Sequence, residues 1–148
     1  STRPRRVRTM FRSIELRAFC HATEDEDRVA KAIATLCPEG AAQKDTFEGH
    51  HKNPIVLMAC RIERAEDISA FWRRCRDADL VSAILEDLPK RIDDEGILHL
   101  RFDKQEAYQG RIELARHEDV VVVRAKVSAF PAKKPELIRA VREYLAKV

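Results

Sequence analysis

The segment FRSIELRAFCH, residues 11–21, alternates apolar and polar side chains along most of its length. The apolar positions are Ile14, Leu16, Ala18 and Cys20. The intervening positions are Ser13, Glu15, Arg17 and Phe19. A repeat of two residues matches an extended strand, whose side chains point alternately to its two faces. The pattern therefore predicts a strand with one face in the core and the other in water.

This strand leads into a helix and then toward two further strands. Thr23 is the predicted N-cap of the helix, and Glu26 can reach back to complete a capping box. An apolar stripe follows, and the sequence PEG at residues 38–40 ends the helix. Residues 41–47 predict a short strand, and the continuous apolar run at residues 55–60 predicts a strand that enters the core.

The remaining chain predicts two helices, three strands and a closing helix. Residues 66–76 and 79–92 carry helical apolar stripes, and Trp72 lies in the first of them, which favours a packing role over base stacking. Alternation around Leu100, Leu114 and Val123 predicts three strands of an antiparallel meander. The last helix has its stripe at residues 137–145. This order of elements predicts an α+β fold, a two-layer sandwich whose mainly antiparallel sheet has helices packed on one face.

Length and composition fit one globular domain, which we place at residues 11–148. Hydrophobic residues make up 45% of the 148 residues, which argues against a disordered chain. The net charge is only +3, but residues 1–10 form a basic arm that holds Arg3, Arg5, Arg6 and Arg8 and no acid. Such a block suits the phosphates of nucleic acid, and it also fits a solvated terminus without a function.

Four cysteines are widely spaced and contain no CxxC pair. Cys20 and Cys60 fall on the apolar faces of predicted strands, so buried thiols are favoured over metal ligands or disulfides. This usage suits a reducing compartment. No apolar stretch reaches membrane-spanning length, and no signal-peptide core follows the arginines. We therefore expect a cytoplasmic protein that makes no contact with a membrane.

The segment EGHHKNPI, residues 48–55, is the densest cluster of unusual side chains. It places His50, His51, Lys52 and Asn53 on a short connection, bounded by a glycine and a proline that favour a turn. Polar groups on connections between core elements are often functional. A solvated surface turn is the alternative interpretation.

A second polar segment, DKQEAYQG at residues 103–110, lies between two predicted strands. Lys104 and Gln105 are hydrogen-bonding residues, and Tyr108 offers an aromatic face that suits phosphates, sugars or unstacked bases. The alternative is an ordinary hairpin connection. We expect Lys104 and Gln105 to lie close to residues 50–53 and to form one site with them.

The polar positions of the predicted strands are rich in cations. They comprise Arg17, Arg101, Arg111, Arg116, Arg124 and Lys126. Such a face is typical of a surface that follows phosphates. Glu15 and Glu113 interrupt it, so cross-strand ion pairs are the alternative explanation.

Three motifs in order give the chain a resemblance to a known family. They are HATEDED at residues 21–27, EGHHKNPI, and RFDKQEAYQG at residues 101–110. With these motifs and the final strand and helix, the sequence resembles the archaeal exosome-associated RNA-binding protein family. The resemblance implies an RNA-binding-domain-like α+β fold and a role in archaeal RNA processing, with RNA and exosome or other processing proteins as partners. The family usually has glycine where this chain has Lys52, which implies a different conformation for the loop.

These observations predict an RNA-binding protein that acts mainly through phosphates and uses no cofactor, no metal and no catalytic residue. The predicted RNA-binding residues are Arg5, Arg6, Arg8, Arg17, His50, His51, Lys52, Asn53, Arg101, Lys104, Gln105 and Tyr108. One alternative is a protein-binding assembly factor that does not touch RNA. Another is a metal-dependent nuclease that uses His50, His51 and Asp103, although no zinc-ligand spacing or nucleophile motif supports an enzyme.

Overall fold

The strand at residues 11–21 is the central strand of one five-stranded sheet. A computed structural model describes residues 10–48, 54–128 and 133–148. The strands of the described part are β1 (Phe11–Cys20), β2 (Gln43–Glu48), β3 (Pro54–Ile62), β4 (Ile97–Asp103) and β5 (Val120–Val127). The helices are α1 (Glu26–Leu36), α2 (Ala65–Asp77), α3 (Val81–Glu86), α4 (Leu88–Arg91), α5 (Lys104–Tyr108) and α6 (Lys134–Lys147).

The sheet has the order β2-β3-β1-β5-β4, and every neighbouring pair is antiparallel. Leu16 of β1 lies between Cys60 of β3 and Val123 of β5, and all three are buried. The apolar positions of the β1 alternation are buried and face the helices, and Ser13, which was predicted on the polar face, is also buried next to a register irregularity. The predicted α+β sandwich with a mainly antiparallel sheet is confirmed.

Aromatic side chains fill the space between the sheet and the helices. Trp72 of α2 is fully buried, and its ring lies 4.9 Å from that of Phe11, measured between centroids. Phe71 contacts Trp72 on one side and Phe102 of β4 on the other. The prediction that Trp72 packs in the core and is not a platform for bases is therefore confirmed.

The predicted strand around Leu114 does not form. Leu114 makes one isolated bridge to Phe102, and β4 pairs directly with β5 along its length. The predicted meander of three strands was therefore wrong. Two backbone hydrogen bonds, Asp103 N–H to the carbonyl of Glu113 and Ala115 N–H to the carbonyl of Arg101, hold this segment beside β4.

Two helix predictions also need correction. The segment predicted as one helix at residues 79–92 forms two short helices, because Asp87 interrupts it and Pro89 then starts α4, where a proline needs no hydrogen bond. The N-cap of α1 is Asp25, whose carboxylate accepts from the backbone N–H of Asp27, and not Thr23. The short strand predicted at residues 41–47 is confirmed as β2.

All four cysteines are buried and free, as predicted. The Sγ atoms of Cys37 and Cys60 lie 3.7 Å apart, beside Gly40, where an added Cβ would fall 2.2 Å from the Cys60 sulfur. Glycine is therefore required here by the close approach of the two layers. Burial raises the pKa of the Cys75 thiol to about 12. Within the described ranges, no helix has the length and apolar character needed to span a membrane.

Candidate nucleic-acid interface

The face of the sheet opposite the helices is open in the part of the chain that the structure describes. Its central strand, β1, presents Glu15, Arg17 and Phe19 on this face, while the residues between them are buried under the helices. Arg17 and Phe19 are exposed, and Glu15 is half-buried. The alternation that makes β1 a good core strand therefore also sets the chemistry of the outer surface.

The strand register places cations side by side across this face. Glu15 pairs with Arg61 of β3 and with Arg124 of β5, so its carboxylate lies between two guanidinium-bearing positions. In the next row, meaning the next set of residues paired across neighbouring strands, Arg17 and Arg101 both pair with Val122. Neighbouring strands are about 4.8 Å apart, so Arg17 and Arg101 are separated by about 10 Å across the sheet.

Some of these cations are neutralised and others are not. The Glu15 carboxylate lies 2.5 Å from Nε of Arg17 and 3.4 Å from Nη1 of Arg61. Arg61 also donates to Glu63, and this hydrogen bond raises the pKa of its guanidinium. Cross-strand ion pairs are thus part of the explanation of the charged face. They are not all of it, because Arg12, Arg101 and Arg124 make no ion pair with any described residue.

A basic groove lies at one end of the open face. It has a volume of about 280 Å³. Four cations line it, namely Arg12, Arg61, Arg124 and Lys126. The only acid among its lining residues is Glu15. Lys126 donates from Nζ to the backbone carbonyl of Glu95, which holds its ammonium in place at 2.5 Å. An anionic ligand such as a phosphate fits this excess of positive charge.

Two aromatic side chains on the open face were missed by the sequence analysis. Phe19 and Phe47 have exposed fractions of 54% and 50%, and they are the large hydrophobic residues exposed in the described part. The signal was present in the alternation of residues 11–21, where Phe19 takes a position that should be polar. An aromatic ring at a solvent-facing strand position offers an apolar surface to a ligand or a partner.

Lys104 is not on the surface, in contrast to the prediction that it binds RNA. Its side chain is 3% exposed, and Nζ lies 2.9 Å from Glu24, 2.7 Å from Asp119 and 3.1 Å from the carbonyl of Phe19. An ammonium has three donors, so protein groups occupy them all. Burial alone would lower the pKa of Lys104, but hydrogen bonds to Asp119 and Glu24 outweigh it and hold that pKa above its ordinary value. Lys104 is therefore a structural residue.

The rest of the DKQEAYQG segment is helical and not a hairpin loop. The Asp103 carboxylate caps α5 by accepting from the N–H of Glu106. Gln105 donates to Asp119, and the ring of Tyr108 lies 4.1 Å below the Arg28 guanidinium carbon. These contacts join α5 to α1 and leave less of Tyr108 open to a base.

A second cavity of about 280 Å³ lies between α1 and α5, where Gln105 and Tyr108 line it. Glu24 and Asp25 line it together with Arg28 and Lys104, so its two carboxylates balance its two cations and it has no excess of positive charge for a phosphate. The cations predicted on strands at residues 111 and 116 lie outside the described strands. Arg111 pairs with Glu106 at 2.5 Å. The open face, and not the α1–α5 side, therefore has the electrostatics of an RNA surface.

Several predicted site residues lie outside the described residues. These are Arg5, Arg6, Arg8, His50, His51, Lys52 and Asn53. The prediction that residues 50–53 and the Lys104–Gln105 segment form one site therefore stays a prediction. Glu48 and Pro54, which bracket the loop, lie at the same end of the sheet as Asp103, as the pairs Cys20–Val56 and Asp103–Val120 show.

One cluster in the described part has the composition of a metal site. His21, Glu24 and Asp119 each place a ligand atom within 4.8 Å of the others. The Lys104 ammonium already neutralises both carboxylates of this cluster, so a metal ion would have to displace it. Asp103, the acid of the nuclease alternative, caps α5 and accepts from His117 at 2.9 Å.

A family described as RNA binding matches residues 13–127, which is more than half of the chain. The chain belongs to this RNA-binding family. The match includes β2 to β5, β1 from residue 13 onward and five of the described helices, so it includes the open face except Arg12.

Relatives of known sequence and structure support the same family. The chain is 38% identical over 144 residues to the RNA-binding protein PAB1135 of Pyrococcus abyssi, and the match covers 90% of this chain and 92% of that one. The crystal structure of protein AF2318 from Archaeoglobus fulgidus is 31% identical with a TM-score of 0.81, and covers 90% of this chain and 98% of that one. A DUF54 protein from Methanothermobacter thermautotrophicus is also 31% identical, with a TM-score of 0.79 and coverages of 92% and 98%.

Proposed function

We propose that this member of the RNA-binding family binds RNA on the open face of its sheet, mainly through phosphates. The observation that carries the proposal is the basic groove, where Arg12 and Arg124 make no ion pair with the described residues and four cations outnumber one carboxylate. The α1–α5 side has no such excess, because two acids and two cations line its cavity and acids neutralise its buried lysine. The predicted contacts of Arg17 and Arg101 are consistent with this surface.

We further propose that the protein acts without catalysis, as a cytoplasmic accessory factor of archaeal RNA processing. The sequence resemblance to exosome-associated proteins supports this role. The basic arm at residues 1–10, with Arg5, Arg6 and Arg8, adds charge that attracts any RNA and reads no sequence. Within residues 11–148, specificity would then come from the folded domain, including residues 50–53.

A salt series tests the phosphate contacts. Binding of a labelled RNA is measured between about 50 and 200 mM salt, where each lost phosphate contact lowers the slope of log K against log salt by about 0.7–0.9. Arg124→Gln should weaken binding about threefold to tenfold and flatten the slope by about one contact. The matched control is Arg142→Gln, the same change of charge at an exposed position of α6 on the helix side.

The arm is tested in the same series by removal of residues 1–9, which retains Met10 because its carbonyl accepts from Ser128. Loss of the arm should weaken the binding of all RNAs by the same factor. The proposal fails if the full chain binds no RNA near 50 mM salt, or if Arg142→Gln and Arg124→Gln have equal effects. The exosome role fails if purified exosome and the protein elute separately both with and without RNA.

A protein-binding role has one observation in its favour. All six residues of the edge strand β2 are exposed, and Phe47 lies on it, so a partner strand has room to pair there. An assembly factor of this kind would form a complex with a purified partner after nuclease treatment and would be insensitive to Arg124→Gln.

A further inference from the structure

The position of Phe19 specifies the class of RNA. Phe19 lies on the open face of the central strand, with 54% of the residue exposed and no ring partner among the described residues. Its neighbour across β3 is Leu57, which is half-buried. A ring that is half exposed near the end of the central strand contributes little to the core and offers a flat apolar platform.

The platform is bordered by positive charge. Arg17 lies two residues before Phe19 on the same face, which places their Cα atoms about 7 Å apart. Arg101 extends the same row of the sheet through Val122. Beyond Arg17 the face continues to the basic groove around Glu15 and Arg124. An aromatic ring followed by a track of guanidinium groups matches a nucleotide, which has a flat base joined to a charged phosphate.

We propose that the ligand is single-stranded RNA and that an unpaired base stacks on Phe19 while its phosphates follow Arg17 toward the basic groove. In an RNA duplex the base faces are covered by their neighbours, and only phosphates, sugars and groove edges are accessible. A ring fixed in a sheet has no route to a base face unless the strand is unpaired. This inference rests on the proposed RNA binding and specifies its substrate.

A protein partner is the other occupant that an exposed phenylalanine suits. The charges favour RNA, because two cations, Arg17 and Arg101, lie in the row next to Phe19, against one acid, Asp45, across β3 from it. Interfaces between proteins instead tend to exclude charged residues from their centres.

The experiment compares Phe19→Leu, which keeps an apolar side chain but removes the aromatic face, with Phe19→Trp, which keeps the face. The probes are a single-stranded oligoribonucleotide of about ten nucleotides and a blunt duplex with one strand of the same sequence. We expect Phe19→Leu to bind the single strand about 5- to 150-fold more weakly, the range for loss of one stacked base, with the duplex affinity and the salt slope unchanged. Phe19→Trp should retain the affinity of the unchanged protein.

Fluorescence gives a second measurement. Trp72 is fully buried, so the unchanged protein supplies a constant background. The added indole of Phe19→Trp should be quenched by the single strand and not by the duplex. A thermal melt of Phe19→Leu is the control for folding, and it should change little because the replaced ring is exposed.

The outcomes separate the two proposals. If the unchanged protein binds neither RNA, RNA binding itself fails. If it binds RNA but Phe19→Leu binds the single strand equally well, or loses single strand and duplex in equal proportion, stacking on Phe19 is wrong while RNA binding stands. A dimer that Phe19→Leu converts to a monomer, with RNA affinity unchanged, would show that this patch is a protein interface and would also overturn the inference.

Discussion

Two cationic regions of this protein use positive charge in different ways. On the α1–α5 side, one buried lysine, Lys104, faces the two carboxylates of Glu24 and Asp119. In the basic groove, four cations surround the single carboxylate of Glu15. Where acids outnumber the cation and the cation is buried, the charge serves the fold. Where cations outnumber the acid and stay accessible, it remains available for a ligand. The ratio and the burial, more than the residue type, separate the two roles.

Removal of the buried ammonium should give the largest effect. Lys104→Met keeps the length of the side chain but leaves Glu24 and Asp119 without their partner. We therefore expect a loss of about 2–3 kcal/mol in the free energy of unfolding. This loss is less than for fully buried pairs, because both acids remain partly hydrated. Urea unfolding near pH 7 measures it.

The control for that change is Lys44→Met, which breaks the exposed 2.9 Å ion pair between Lys44 and Glu26. Surface pairs of this kind contribute between 0 and about 1 kcal/mol. Equal losses in the two variants would contradict the structural role of Lys104, and so would a selective loss of RNA affinity in a Lys104→Met protein of unchanged stability.

Removal of Glu15, the acid of the basic groove, should strengthen RNA binding. This effect should be smaller than the effect of Lys104→Met on stability. Glu15→Gln releases Arg17 and Arg61 from their shared carboxylate, so RNA affinity should rise about twofold to fivefold at low salt. Glu143→Gln, at an exposed position of α6, changes the net charge equally and should leave the affinity nearly unchanged. An unaltered affinity in Glu15→Gln would mean that phosphates do not enter this groove.

Acid pH should give the smallest effect on stability, and this effect depends on the ionisation of Asp119. Burial tends to raise the pKa of Asp119, but its hydrogen bonds to Lys104 and Gln105 prevail and hold that pKa below its ordinary value of 3.8. A carboxyl whose pKa is lower in the folded state stabilises the fold above its unfolded pKa, and this contribution is lost as pH falls through the folded value. Stability should therefore decline below about pH 4, and the decline should be shallower in Lys104→Met. Urea unfolding at pH 7, 4 and 3 measures the difference, and parallel profiles would contradict it.

The parts of the fold that are visible in the sequence are those in which local pattern and tertiary packing agree. Residues 11–21 alternate cleanly, so β1 was predicted almost to its boundaries. Residues 111–114 alternate as well, yet this segment makes one isolated bridge, Leu114 to Phe102, on the edge of β4 that β5 leaves free. Alternation indicates that a segment has two different faces, but it does not indicate which strand the segment pairs with.

The candidate site was less predictable for a related reason. The sequence places Lys104 in a polar segment, and nothing local shows that Glu24 and Asp119, from distant parts of the chain, converge on its ammonium. Sidedness was easier to predict, because Arg17 and Arg101 lie on the open face as their positions in the alternation required. Phe19 could have been found from the same alternation, since its ring breaks the polar side of the pattern.

The central position of β1 has a consequence for how the chain acquires its structure. β1 precedes the other described strands in the chain, and one of its two partners, β5, ends at Val127, more than 100 residues later. Bringing these strands together closes a long loop, and chains dominated by such distant pairings fold slowly, on the scale of milliseconds to seconds. During translation, the edge of β1 that pairs with β5 stays unpaired until β5 has been synthesised. The arginines at positions 12 and 17 then act against association of nascent chains, since like charges along an unpaired strand oppose pairing with a second copy.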